Sequence, residues 1–199
     1  DQPAGWQDGD PARVPGRGGA VSEQTVEIIR PDPSLPYAEQ PGLVLAVLTL
    51  IGEARGEKAL GKRGVLWCIK NRRRVAREFV AKRGRTHPLF GDGSLASCVL
   101  KKYQFSCWLP GDPNLKLLSE TVEKAGDNLG AMWPVYYALA LKVEGELPVQ
   151  DPTFGATHYC TVELWNKPDV MAWYGEPEIA SGRTKETVQL GNHIFARAA

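Results

Sequence analysis

Histidine is scarce in this chain: among 199 residues only His87, His158 and His193 occur. None belongs to an H-E-x-x-H pair, and Cys68, Cys98, Cys107 and Cys160 show no C-x-x-C spacing, so no recognisable metal motif is present. Long apolar runs are also missing. The longest, Leu43 to Ile51, is far short of the roughly 20 residues a membrane-spanning helix needs. The chain opens Asp-Gln-Pro-Ala-Gly instead of with a basic and then apolar leader, which leaves open both a removed signal and an export route needing none. A net charge of +1 names no polyanionic partner.

Local charge is less even. Lys70, Arg72, Arg73, Arg74, Arg77, Lys82, Arg83 and Arg85 face only Glu78 between residues 70 and 85. The simpler reading is a solvated helix face with its exit loop; the sharper one is a contact surface for an anionic polymer. Cys68 sits in an apolar helical pattern and reads as a small core side chain. Cys98 and Cys107 flank a short loop and can pair in an oxidising compartment, subject to geometry.

What the chain does have is an apolar stretch ending in acid. Residues 43–51 are apolar almost all round, the pattern of a helix buried in a soluble core, and Gly52-Glu-Ala-Arg-Gly-Glu57 follows at once. A buried helix seldom finishes in glutamate unless the carboxyl has a role or a partner. Desolvation favours the protonated form of a carboxyl, which is what a general acid requires, and Glu53 is the residue so placed.

The rest of the chain falls around this helix. Residues 1–36, with Pro3, Pro11, Pro15, Pro31, Pro33 and Pro36 and several glycines, read as an extended arm or linker; Thr25–Ile29 is a short extended segment within it. The catalytic domain is placed at 37–199. A turn at Lys58–Lys62 leads to a helix running to about Val80, with Val65, Cys68, Ile69, Val75, Ala76, Phe79 and Val80 on one face and arginines on the other. A loop follows to residue 94, then a short helix at 95–100 capped from Gly91-Asp-Gly-Ser. The aromatic and polar cluster Tyr103-Gln-Phe-Ser-Cys-Trp108 suits a structured loop over a site. Asp112-Pro113 starts a helix through roughly Leu129, and Pro134 opens another to Glu144. Phe154–Cys160, Thr184–Leu190 and His193–Arg197 look extended, the last two joined at Gly191-Asn192 as a hairpin. The expected class is α+β: a mostly helical domain with a small antiparallel sheet or hairpin in its C-terminal third.

Five pieces in order carry a resemblance: Gly52-Glu-Ala-Arg-Gly-Glu57, Asn71-Arg72, Gln104-Phe-Ser-Cys-Trp108, Gly155-Ala-Thr-His-Tyr159 and Gly191-Asn-His-Ile-Phe195. Together, over about residues 43–197, they resemble the spore-cortex-lytic (SleB-type) cell-wall hydrolases of bacterial wall enzymes and phage lysins. The resemblance implies a lysozyme-like fold acting outside the cytoplasm on peptidoglycan glycan strands. Family members are lytic transglycosylases, cutting between N-acetylmuramic acid and N-acetylglucosamine and leaving a 1,6-anhydro end. It implies no cofactor and no metal.

By the same resemblance Glu53 is the catalytic acid that then turns base. Glycosidases commonly use two carboxylates on opposite sides of the sugar, and Glu57, one turn beyond Glu53, would stand on the same side. One acid suffices if the substrate's own 6-hydroxyl attacks, so Glu57 is expected to orient the site, through Arg55, a backbone amide or the second helix, or else to be an exposed turn residue. Asn71 would support the Glu53 helix across the core. Gln104, Ser106 and Trp108 would line the saccharide cleft, with Phe105 in packing. His158 and Tyr159 follow the cleft-wall motif: Tyr159 as a hydrogen-bond partner of substrate or Glu53, His158 as substrate contact or satisfied structural histidine. His193 would anchor the terminal hairpin.

The chain departs from the family at Cys160, where histidine or asparagine is usual, and at Ala196, where an aromatic is common. The Arg72–Arg74 run and the proline-rich arm are not shared features, and the arm suggests an attachment point for other wall-complex or virion proteins. Rival readings are a hydrolytic muramidase, a non-catalytic wall-binding or virion module with the same shape, and a zinc amidase using His158, Cys160 and His193. A nucleic-acid partner lacks any recognised module.

Overall fold

The computed structural model describes residues 27–145, 149–165, 167 and 184–198. Its architecture is α+β, helices first and a three-stranded antiparallel sheet after. Helix α1 (Gly42–Ala54) is the axis of the domain, touching α2 (Ala59–Arg83), α3 (Leu95–Val99), α4 (Pro113–Glu123) and α5 (Met132–Glu144). Every residue from Val44 to Gly52 is buried, as the unbroken apolar run predicts. Side chains the size of Leu45, Leu48, Leu50 and Ile51 each contribute about 1.5–3 kcal/mol when fully removed from water. The one polar side chain in that run, Thr49, bonds back to the Leu45 carbonyl at 2.8 Å.

The sheet has the order β1–β3–β2, from strands β1 (His158–Thr161), β2 (Thr184–Leu190) and β3 (His193–Ala198), with a four-residue helix α6 (Val162–Trp165) after β1. The β2–β3 hairpin turns at Gly191-Asn192, as expected, and its register breaks once between Glu186 and Val188. Tyr159 stands opposite Phe195, and Thr161 opposite His193, so these share one face. Phe195 of that face lies against α2 at Gly64, where a Cβ would overlap its ring.

Several boundaries differ from expectation for identifiable reasons. Helix α2 begins at Ala59, inside the expected turn, and runs on to Arg83, where Gly84 in the left-handed conformation ends it. Helix α4 stops at Glu123, not near Leu129: Ala125 and Gly126 both take positive φ, and the Gly126 amide donates back to the Thr121 carbonyl at 2.7 Å. A separate 3-10 turn covers Asp127–Leu129. Pro134 lies in the first turn of α5, where its missing N–H has no helical partner to lose. Of the Phe154–Cys160 stretch only the end is strand, its beginning being a turn around Phe154.

Residues 1–26 of the expected arm, including Thr25, lie outside the described residues. Its last part is docked rather than extended into solvent. Trp133 donates its indole N–H to the Ile29 carbonyl at 3.1 Å, Arg30 pairs with Asp127 at 2.7 Å, and Gln40 bridges the Asp32 and Leu35 carbonyls. Among the described residues, contacts with the domain are thus already made at Ile29, before Pro36. Among the described residues no helix is long and apolar enough to cross a membrane.

Half of the basic stretch is structural, which corrects the placing of all its arginines on the outer face. Lys70 donates to the Val143 and Gly145 carbonyls at the end of α5; Arg73 pairs with Glu144, and Arg73 and Arg77 both bond the Gly93 carbonyl. Arg72 is buried, 4% exposed. Its Nε donates to the Thr157 carbonyl at 2.6 Å and its Nη1 to the Gln104 carbonyl at 3.0 Å, while its guanidinium carbon stands 4.6 Å from the Phe105 ring centre and 5.6 Å from that of Phe90.

The planar fork of arginine fits this pair of carbonyls, and an ammonium does not. Arg72→Lys is expected to cost about 2–4 kcal/mol, since one carbonyl is left without its charged donor in the interior. Urea unfolding of the variant should show a correspondingly lower midpoint at unchanged slope.

Candidate active site

Glu53 occupies the last turn of α1, half-buried where the helix leaves the core. Its two carboxylate oxygens are held from two sides. Oε1 accepts the Cys107 backbone N–H at 3.0 Å and the Ser106 hydroxyl at 3.5 Å; Oε2 accepts the Tyr159 hydroxyl at 3.0 Å. The first two donors come from the 3-10 turn at Ser106–Trp108, the third from β1.

Each donor is placed by a local feature of the sequence. The 106–108 turn comes close to α1 because residue 52 is glycine: a Cβ there would fall on the Cys107 side chain. Trp108 closes the turn from the other end, giving its indole N–H to Thr49 Oγ1 at 3.0 Å and packing edge-on against Tyr37 with ring centres 5.1 Å apart. Thr49 and Glu53 stand one helical turn apart on the same face, so Trp108 covers α1 just below the carboxylate. The Tyr159 ring rests among Phe105, Phe195 and His193. Burial, and then the nearby Glu53 charge, push its phenol well above the ordinary tyrosine range, so it is a donor throughout the neutral region.

Two buried side chains on α2 brace the two walls that hold Glu53, the 104–108 segment on one side and β1 with its approach on the other. Arg72 holds the Gln104 and Thr157 carbonyls together, one on each wall. Asn71 donates to Asp151 Oδ2 at 2.9 Å and to the Ala156 carbonyl at 3.0 Å. Its partners therefore lie in the loop leading into β1 rather than on α1, where support of the Glu53 helix would place them. Asp151 organises that loop further by accepting from the Thr153 amide and hydroxyl and from the Gly155 amide.

Glu57 is oriented away from Glu53's donors. Its Oε2 accepts the Asn192 amide at 3.2 Å and its Oε1 lies 3.8 Å from His193 Nδ1. Of the routes considered for Glu57, a backbone amide is the one found; Arg55 instead bonds the Asn114 side chain at 2.5 Å.

The remaining expected site residues divide. Gln104 contributes its carbonyl oxygen to Arg72 and is half-buried. Ser106 is exposed beside Glu53. His158 is buried, bonds Thr157 Oγ1 through Nδ1 at 2.9 Å, and by strand alternation faces away from Tyr159. It lines a cavity of about 460 Å³ with Phe90, His87, Arg74 and Arg197. A second cavity of about 340 Å³ lies between Ala38, Ala96 and Lys101; Glu53 lines neither.

Among the described residues no three His, Cys, Asp or Glu side chains converge as metal ligands would. His158 and Cys160 share one face of β1, and His193 stands on the other. None of the four cysteines is in a disulfide and all are buried, so Cys98 and Cys107 are not bonded to each other. Burial pushes the Cys98 thiol up to about 12 and that of Cys160 to about 11, and raises Cys107 as well, which keeps them protonated and unreactive.

Comparison with family models, with curated proteins and with solved structures gives no match.

Burial opposes ionisation of Asp151, yet bonds from Thr153, Asn71 and the Thr153 and Gly155 amides hold its carboxyl below the ordinary range. A depressed native value means that the unfolded chain binds more protons, so this contribution to stability is whole above about pH 4 and is lost as pH falls through the native value. Asp151→Asn should be less stable than wild type at pH 7 and should lose less stability between about pH 4 and 2. Denaturant midpoints across that range measure it.

Proposed function

We propose that this protein is a peptidoglycan lytic transglycosylase, with Glu53 as its one catalytic carboxyl and glycan strands as its substrate. The observation that carries the reading is the setting of Glu53. It is a half-exposed carboxylate at the end of a buried helix, with Tyr159, Cys107 and Ser106 donating to both of its oxygens. A side chain so anchored can meet a substrate in one orientation, the condition for efficient proton transfer.

In the first half of the reaction the protonated Glu53 gives its proton to the bridging glycosidic oxygen as the bond from muramic acid C1 breaks. The carboxylate left behind is stabilised by the three donors, a preorganised arrangement that needs no rearrangement at that moment. In the second half it takes the proton of the C6 hydroxyl while that oxygen bonds to C1, closing the 1,6-anhydro ring. A second carboxylate on the far side of the sugar is not required. Glu57, committed to the Asn192 amide, is free of that task.

This reading keeps the lysozyme-like resemblance as a proposal about fold kinship and sets the protein's place of action at the cell wall, outside the cytoplasm. Exposed Ser106 is the expected hydrogen-bonding contact for sugar hydroxyls. Trp108 is committed through its N–H to Thr49, and His158 faces the other side of β1 from Tyr159. Residues 1–26 are where attachment to a wall complex or virion would fall.

Mass spectrometry of digested sacculi is the deciding measurement. Anhydromuropeptides are expected; reducing muramic ends would make the protein a hydrolytic muramidase, freed stem peptides an amidase, and intact sacculi a non-catalytic module. Glu53→Gln should keep its thermal midpoint while cleavage falls by about 10²–10⁴-fold, the share usually contributed by a general acid.

A further inference from the structure

Glu57 is poorly explained by its own surroundings. It is a carboxylate whose side chain is only 14% exposed, at a turn where a solvated glutamate would serve the fold equally well. Two glycines make room for it: a Cβ on Gly61 or on Gly191 would run into its carboxylate, and Gly191 has φ +63°, which also suits glycine. Its backbone carbonyl is bonded by the Lys62 ammonium. Its carboxylate reaches across to the hairpin turn, where Oε2 takes the Asn192 amide and Oε1 faces His193 Nδ1 at 3.8 Å. That nitrogen is buried and has no hydrogen-bond partner among the described residues, and the Glu57 carboxylate, at 3.8 Å, is the charge that faces it.

His193 in turn touches the machinery. Its ring meets the Tyr159 ring edge-on with centres 5.1 Å apart, and Tyr159 donates to Glu53 Oε2 at 3.0 Å. The two carboxylates of the 53–57 turn are thus joined through one tyrosine and one histidine on the sheet, not through each other. We infer that Glu57 is a positioning residue: by holding His193 it fixes the Tyr159 ring, and with it the hydroxyl that stabilises the Glu53 carboxylate. This rests on the reading of Glu53 as the catalytic acid.

The groups facing His193 are Glu57 from the α1–α2 turn, Glu53 from α1 and Tyr159 from β1. Burial lowers the imidazole's proton affinity, and Glu57 and then Glu53 raise it. At neutral pH the ring is therefore neutral and lies in the field of the Glu57 carboxylate. Loss of the Glu57 charge removes the stronger of the two attractions and leaves the ring without its anchor.

The test uses the full chain and Glu57→Gln, whose amide oxygen can still accept from Asn192. The His193 imidazole is followed by NMR titration, assigned with a His193→Gln variant, alongside release of anhydromuropeptides. Expected in Glu57→Gln are a lower His193 titration midpoint, a fall in kcat of about tenfold or more with KM little changed, and a near-native thermal midpoint. His193→Gln should lose a similar factor, and the double variant little more than either alone. An unchanged His193 midpoint overturns the pairing. A rate loss that only tracks lost thermal stability, with KM and kcat both affected, makes Glu57 merely structural and overturns the role. An active wild type with an unimpaired Glu57→Gln overturns this role alone, whereas a wild type releasing no anhydro ends overturns the reaction and this role together.

Discussion

The guanidinium of Arg72 holds this molecule's two halves in register. Its two charge-assisted bonds run to carbonyls that are far apart in sequence, one before the 106–108 turn and one at the threshold of β1. A buried charge is costly unless its donors are satisfied, and here the expense is offset by bonds of about 1.5–3 kcal/mol each and by the rings of Phe105 and Phe90. The geometry it imposes is the geometry Glu53 needs. One wall brings an amide and a hydroxyl to Oε1, and the other brings a phenol to Oε2. If the walls slipped relative to each other, one oxygen would lose its donors first.

Helix α1 is the fixed reference for both walls. It is buried on all sides and cannot shift without opening the core, so a carboxyl at its end has a defined position relative to everything packed around it. The sheet is attached to that end twice, through Tyr159 on Glu53 and through the Asn192 amide on Glu57. Gly52, Gly61 and Gly191 give the clearances that make those attachments possible.

The central helix was legible in the sequence because an unbroken apolar run has only one stable place in a soluble domain. The hairpin was legible from Gly191-Asn192, and the α+β class from the change of pattern after α5. The end of α4 was missed because Ala125 in the left-handed conformation leaves no mark of its own, although Gly126 was a readable stop. Arg72 was assigned to the solvated face on the strength of its neighbours. Its spacing said otherwise, since position 72 continues the buried stripe of Val65, Cys68 and Ile69 towards Ala76. For the site, Glu53 and Tyr159 could be named from motif and helix position. The Cys107 donor could not, because it is a backbone amide and any side chain there would supply it. The direction of His158 needed the strand register, which a one-residue shift would have reversed.

The bonds that complete the site span most of the chain: 106 residues separate Glu53 from Tyr159, and 135 separate Glu57 from Asn192. Contacts this distant close late, after the helical portion has collapsed. Until β1 and the β2–β3 hairpin have docked, the acidic turn therefore lacks the phenol and the backbone amide that hold its two carboxylates.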